Sequence, residues 1–204
     1  VTSLAAGAVV VLLYMLLVLT PQGQRIDDDL LEVIRADDLT RHELTSALHL
    51  INVSTIVVFI AVVLLIAWLR QRSKIGLVAT GGFVAAIVLA ETLKAILPRP
   101  VYQVELDEEV GKAGIDTFPS GHSTIIAAGV IALLWAWGVR SRLAWGIGAV
   151  VVLVVAGSTV VAGWHRISDA IGGIALAIAV MAAAARCRSG QAGGGLVRAS
   201  VVLQ

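Results

Sequence analysis

Phe118-Pro119-Ser120-Gly121-His122-Ser123 is a short polar break that opens a long apolar run, 123–138. Pro and Gly in this order mark a loop turning into a helix. Ser120 is placed to cap that helix, whose first backbone N–H groups have no intrahelical partner. Such a start is an anion site, with oriented donors at the positive end of the macrodipole. His122 lies in its first turn, where an imidazole can donate or accept a proton. Two further polar clusters, 94–100 and 165–169, also stand at the ends of apolar runs.

The remaining composition explains why a polar break is informative here. The 204 residues are 58% hydrophobic and only 14% charged, and mean hydropathy is +0.94. Soluble domains sit near 45–50% apolar and about 25% charged, so the chain reads as a polytopic membrane protein. A formal net charge of +1 gives no reason to expect a nucleic-acid partner. One cysteine, Cys187, excludes an internal disulfide framework and a Cys-rich metal site. Beside Arg186 and Arg188 it is a weak acylation signal.

Apolar runs predict an all-α bundle of six transmembrane helices at about 4–20, 51–69, 75–93, 121–138, 143–163 and 168–185. The first run lacks a basic leader and a small-residue cleavage site, so it reads as a span. Pro21 ends it. Segment 27–48 reads as interfacial: Leu30, Leu31, Ile34 and Leu39 recur at helical spacing behind Asp27-Asp28-Asp29, which suit a helix N-terminus. A solvated loop with one helical turn reads equally well. The membrane domain would be 1–188, and the glycine-rich 189–204 a flexible tail.

Six spans place both termini on one side. The short connections there, 70–74, 140–142 and 186–188, carry basic residues and no acid, which marks that side as cytoplasmic. The end of the third span, the start of the fourth and the end of the fifth then share one extracytoplasmic mouth. Lys94, Arg99, Ser120, His122, His165 and Asp169 converge there. Gly129, Gly146, Gly157, Gly172 and Gly173 read as helix-packing positions. Trp68, Trp135, Trp137 and Trp145 read as interface anchors, and Trp164 as a wall of the site or a packing residue.

These residue types suit a phosphate. Arg99 can grip two phosphate oxygens and Lys94 supplies a point charge; the competing reading is that both snorkel to the interface. Glu91 is one turn from Lys94 and can pair with it. His165 and Asp169, four apart, share a helical face; a hydrogen bond between them would leave the other imidazole nitrogen as a nucleophile. His122, His165 and Asp169 could in principle hold a metal, but Lys94, Arg99 and Arg166 favour an anion. His42 reads as solvated and His49 as interfacial or packing.

Lys94 to Pro100, Pro119-Ser120-Gly121-His122, and Ser158 with His165 and Asp169 resemble, in order, the three signature motifs of the type-2 phosphatidic acid phosphatase superfamily, integral-membrane lipid phosphatases. The resemblance implies hydrolysis of a lipid phosphate without metal or cofactor, through a phosphohistidine, at the outer face of the cell membrane. Carried over, His165 is the nucleophile, Asp169 orients it, and His122 protonates the leaving oxygen and then activates water. Lys94, Arg99, Ser120 and the amide of Gly121 hold phosphoryl oxygens. Two departures stand out. Lys94 and Arg99-Pro100 are closer than the family spacing, which puts Val101 at the expected Arg position. Thr159 replaces the Arg that normally follows Ser158, and Arg166 is a candidate substitute; the alternative is that it points to lipid headgroups. The implied substrate is a polyprenyl pyrophosphate, phosphatidylglycerol phosphate or phosphatidic acid in the bilayer. Stretch 101–118, rich in acids, would rim the mouth. A lipid phosphotransferase with the same residues, or a lipid-phosphate carrier, is the alternative.

Overall fold

The computed structural model describes residues 2–34, 37–97, 99–100 and 118–201, without the side chains of 38 and 188–201. Segment 101–117, expected to rim the site, lies outside the described residues. Within them every regular element is helical: α1 (Thr2–Leu13, prolonged by a π-helical stretch Tyr14–Val18), α2 (Pro21–Ile34), α3 (Asp38–Leu48), α4 (Val53–Leu69), α5 (Ser73–Ile96), α6 (Gly121–Trp137), α7 (Arg142–Val161) and α8 (Ile167–Val201).

Local chemistry sets several of these limits. Asn52 and Thr55 form a reciprocal capping box at the start of α4. Ser141 caps α7 through the Ala144 N–H. The first helix stops just before Pro21, as expected, and Pro21 is also the first residue of α2, where its missing N–H costs nothing. Thr20 Oγ1 accepts from the Gly23 N–H, 3.0 Å, as that helix's cap. Asp27-Asp28-Asp29 are therefore in mid-helix and not at an N-terminus, which corrects the expectation. α3 opens separately on Asp37, whose side chain accepts from Leu39 and Thr40 N–H. Those bonds hold the exposed Asp37 carboxyl below the usual carboxylate range.

α5, α7 and the Ile167–Cys187 part of α8 are each long and apolar enough to cross a membrane. Two bent pairs raise the number to five if each counts as one span: Thr2–Val18 with Pro21–Ile34, bent by 91°, and Leu39–Leu48 with Val53–Leu69, bent by 51°. α6 is apolar but has 17 residues, about 26 Å at ~1.5 Å per residue. α8 stays helical to Val201, through the stretch expected to be a tail.

α5, α6 and α8 form the centre; α1 lies along α8, α4 against α5 and α6, and α7 against α6 and α8. Small side chains fill this interior: Ala67, Ala79, Ala86, Ala128, Ala132 and Ala177 are fully buried. Large aliphatics such as Val58, Leu65, Leu77, Ile147 and Leu153 face outward. Small inside and large outside is the pattern of helices packed in lipid, where close backbone approach replaces hydrophobic collapse. Gly146 and Gly157 face open space, so the expected packing role does not apply to them. Trp135 packs on the core, and its carbonyl accepts from Arg72 Nη1 at 3.2 Å, whereas Trp68 and Trp137 are exposed as expected of anchors. Arg186 Nη1 donates to Ser3 Oγ at 2.7 Å, joining the start of α1 to the middle of α8.

Candidate active site

The three polar clusters meet at the opposite end of the bundle, where α6 and α8 begin. Ser120 is fully buried; its Oγ accepts from the Ser123 N–H at 3.3 Å. Its own N–H donates to the Asp169 carbonyl at 2.9 Å. Thr124 Oγ1 donates to the carbonyls of Ser120, 2.8 Å, and Gly173, 3.2 Å. A Cβ on Gly173 would lie 2.4 Å from the Ser120 carbonyl oxygen. Only glycine lets α8 pack its backbone onto the cap of α6 this closely.

α7 delivers His165 through a tight helix end. Gly163 has φ +76°, the left-handed conformation that favours glycine. Its N–H donates to the Val160 carbonyl, and the Trp164 N–H to the Thr159 carbonyl, the paired bonds of a Schellman end. The Thr159 carbonyl also accepts from the His165 N–H at 3.3 Å. Thr159 is fully buried and its hydroxyl donates to the Ala156 carbonyl, so at the position of the family Arg it supports the turn from below. Ser158 Oγ bonds back to the Val154 carbonyl.

The two imidazoles face one another across this corner, ring centroids 6.4 Å apart. Trp164 meets His122 edge-on at 5.3 Å and His49 at 5.1 Å, walling one side. His165 Nδ1 points toward Asp169 Oδ2 at 3.9 Å, beyond hydrogen-bond distance. Asp169 is instead held by Arg99 Nη2, 2.9 Å, and by the Arg166 N–H, 3.1 Å. His165 Nδ1 is buried with no hydrogen-bond partner among the described residues.

The cations take different places. Lys94 Nζ pairs with Glu91 at 2.7 Å, as the sequence suggested, and stands 2.9 Å from where a Cβ on Gly121 would be. Its charge therefore sits at the start of α6. Arg99 is buried, and its Nε and Nη1 have no partner among the described residues. Burial pulls its pKa below the ordinary value and the Asp169 carboxylate pulls the other way. Arg166 is buried against Asp28, its Nε donating to Oδ1, so it does not reach out to lipid headgroups. Any hold it has on a phosphate is shared with that carboxylate.

The sequence reading left three of these neighbours out. His49 was read only as an interfacial or packing residue, and Asp27 and Asp28 only as helix-start charges. Asp27 is buried and accepts from the Ser168 N–H at 3.1 Å and from the Ser168 hydroxyl. The signal for the two aspartates was a spacing: Gln24, Asp27, Asp28 and Leu31 lie on one helical face. Among the described residues no group of three or more His, Cys, Asp or Glu is arranged to hold a metal ion.

The fold is similar to that of a solved protein, the first transmembrane PAP2 type phosphatidylglycerolphosphate phosphatase from Bacillus subtilis. The TM-score is 0.71 at 18% identity, over 92% of this chain and 96% of that one. Comparison with curated proteins finds no match. A family model described as PAP2 superfamily matches residues 75–192, which runs from α5 into α8 and takes in the three polar clusters. With more than half of its length matched, and the matched half carrying the three polar clusters, the chain belongs to the PAP2 superfamily.

Proposed function

We propose that the chain is a metal-independent lipid phosphatase working through a phosphohistidine. The observation that carries this reading is the pair of imidazoles, His122 and His165, facing each other at 6.4 Å. The cations Lys94 and Arg99 stand beside this pair. His165 Nδ1 faces Asp169, so Nε2 is the attacking atom. It forms a bond to phosphorus as the bond to the leaving oxygen breaks, and His122 gives that oxygen a proton. Water then attacks phosphorus, His122 takes its proton, and the phosphorus–nitrogen bond breaks to release phosphate. Asp169 offsets the positive charge on the phosphorylated ring. Its 3.9 Å separation shortens to a hydrogen bond as that charge develops, since catalytic contacts tighten toward the transition state.

Lys94, the buried donors of Arg99, Ser120 and the Gly121 amide hold the phosphoryl oxygens, where preorganised donors act most strongly. Arg166 contributes charge from behind, through its pairing with Asp28. The layout that fits is six spans, α1, α4, α5, α6, α7 and α8, with α2 and α3 at the interface. The basic connections lie at the end away from the site, and the bias of basic loops toward the cytoplasm supports a site on the extracytoplasmic face with both termini in the cytoplasm. A lipid phosphate or pyrophosphate reaches such a mouth with its tail in the bilayer. Phosphatidylglycerol phosphate is the first substrate to offer, because the structural neighbour carries that name.

The test is phosphate release by purified protein in detergent from phosphatidylglycerol phosphate, polyprenyl pyrophosphate and phosphatidic acid, with chelator present. Release that survives chelator and is lost in His165→Ala supports the reading. Phosphate passed to an added alcohol acceptor in preference to water would make the chain a transferase. No release from any of the three overturns it.

A further inference from the structure

One face of α2 is polar and turned into the protein. Gln24, Asp27, Asp28 and Leu31 fall at i, i+3, i+4 and i+7. Leu31 packs on Ala156, Val160 and Ala170. Gln24 Nε2 donates to the carbonyls of Val18, 2.7 Å, and Pro100, 2.6 Å, tying α2 to the segment that carries Arg99. Asp27 and Asp28 reach the start of α8.

α8 cannot cap itself. It begins at Ile167, so Arg166 holds the cap position and Asp169 the third helical one. Asp169 makes half of a capping box by accepting from the Arg166 N–H, 3.1 Å. The other half needs a side-chain oxygen at the cap, and arginine has only donors. Asp27 supplies it from a distant part of the chain, accepting from the Ser168 N–H at 3.1 Å and from its hydroxyl. The same carboxylate stands 3.8 Å from Arg99 Nη2, which also holds Asp169 at 2.9 Å. A carboxylate here complements the helix dipole and shares a guanidinium that would otherwise pull on Asp169 alone.

We infer that Asp27 is a positioning residue for phosphoryl transfer: it caps α8 from α2 and balances Arg99, and so holds Asp169 in reach of His165. This rests on the phosphatase reading above. Without Asp27 the first turn of α8 loosens and the Arg99 guanidinium, already 2.9 Å from Asp169, is shared with no second carboxylate and holds Asp169 back from the nucleophile. Arg99 keeps its pair with Asp169, and the cap of α6 is closed by Ser120 and Ser123 without Asp27. The loss therefore falls on kcat and spares KM.

The experiment measures phosphate release by the purified full chain and by Asp27→Ala, Asp27→Asn and His165→Ala. The substrate is the lipid the unaltered protein turns over best, and thermal unfolding is followed alongside. Asp27→Ala should lower kcat about 10- to 100-fold, the scale of a small misplacement at a reacting centre, and leave KM within about threefold. Asp27→Asn keeps an acceptor for the Ser168 N–H without the charge, and should recover part of kcat. Unchanged kcat in Asp27→Ala overturns the inference. So does a falling KM, which would mean that the carboxylate competes with substrate for Arg99. Should Asp27→Ala fail to fold, Asp27→Asn decides alone: lowered kcat at unchanged KM supports positioning, and full activity reduces Asp27 to a folding role. An unaltered protein that releases nothing overturns the phosphatase reading itself and the positioning role with it, an outcome distinct from an active protein indifferent to Asp27.

Discussion

α6 and α8 begin side by side, and they are capped in opposite ways. α6 opens on its own Ser120, whose hydroxyl accepts from Ser123 three residues on. α8 opens on Arg166 and takes its acceptor from Asp27, 141 residues away. The electrostatic outcome differs as well. The start of α6 has the Lys94 ammonium beside it, paired there with the carboxylate of Glu91 from the same helix, α5. The start of α8 is filled by the carboxylates of Asp27 and Asp169. A helix N-terminus attracts anions, so an arriving phosphate finds one such end with a lysine–glutamate pair beside its free N–H groups and the other already occupied by carboxylates. The difference divides the work: α6 holds phosphoryl oxygens, and α8 with the end of α7 orients the nucleophile.

The largest expected effect breaks the α8 side at its reacting atom. His165→Ala should lower phosphate release by about 10³-fold or more while lipid binding persists, since the α6 donors are untouched. Substrate protection of the variant against thermal unfolding checks the second half of that statement. Comparable loss of binding would mean that the two helix starts do not divide the work.

The next effect jams the seam between the two starts. Gly173→Ala places a methyl 2.4 Å from the Ser120 carbonyl oxygen, a backbone atom that cannot swing aside. Overpacking of this kind costs typically 1–3 kcal/mol, and about that much should appear as lost stability. Turnover should fall too, because Ser120 and Asp169 are joined across the same seam.

On the α6 side, Ser120→Ala removes a cap worth about 1 kcal/mol. Its distinguishing mark is kinetic. KM should rise more than kcat falls, the reverse of the pattern expected for Asp27→Ala.

This asymmetry also explains what could be read without coordinates. The start of α6 is a local sentence: Pro119, Ser120, Gly121 and His122 stand in order, and the cap bond spans three residues. Gly163 marks the end of α7 in the same local way, and His165 follows at once. The start of α8 is not local. Nothing near Arg166 announces a missing cap acceptor, and Asp27 looks like any charge on an interfacial helix. Pro21 added to the difficulty. Proline both ends and begins helices, and its role as the first residue of α2 depends on the 91° corner before it. The pairings of Arg99 and Arg166 were hidden for the same reason. Motif spacing places a cation near a phosphate, but it does not tell which carboxylates share it.

The smallest effect on turnover sharpens the comparison most finely. Ser168→Ala deletes the hydroxyl that bonds Asp27 and stands 3.5 Å from Arg99 Nη2, yet leaves the backbone N–H on the carboxylate. If Asp27 acts by capping, the bond that matters is the backbone one and it survives. The expected cost is then that of one hydrogen bond to a charged group, about 1.5–3 kcal/mol at most, with kcat within about threefold of the unaltered protein. If the hydroxyl bond carries the positioning, Ser168→Ala will match Asp27→Ala in kcat. The pair of variants, compared in one assay, thus separates a helix cap supplied from α2 from a side-chain contact that happens to sit beside it.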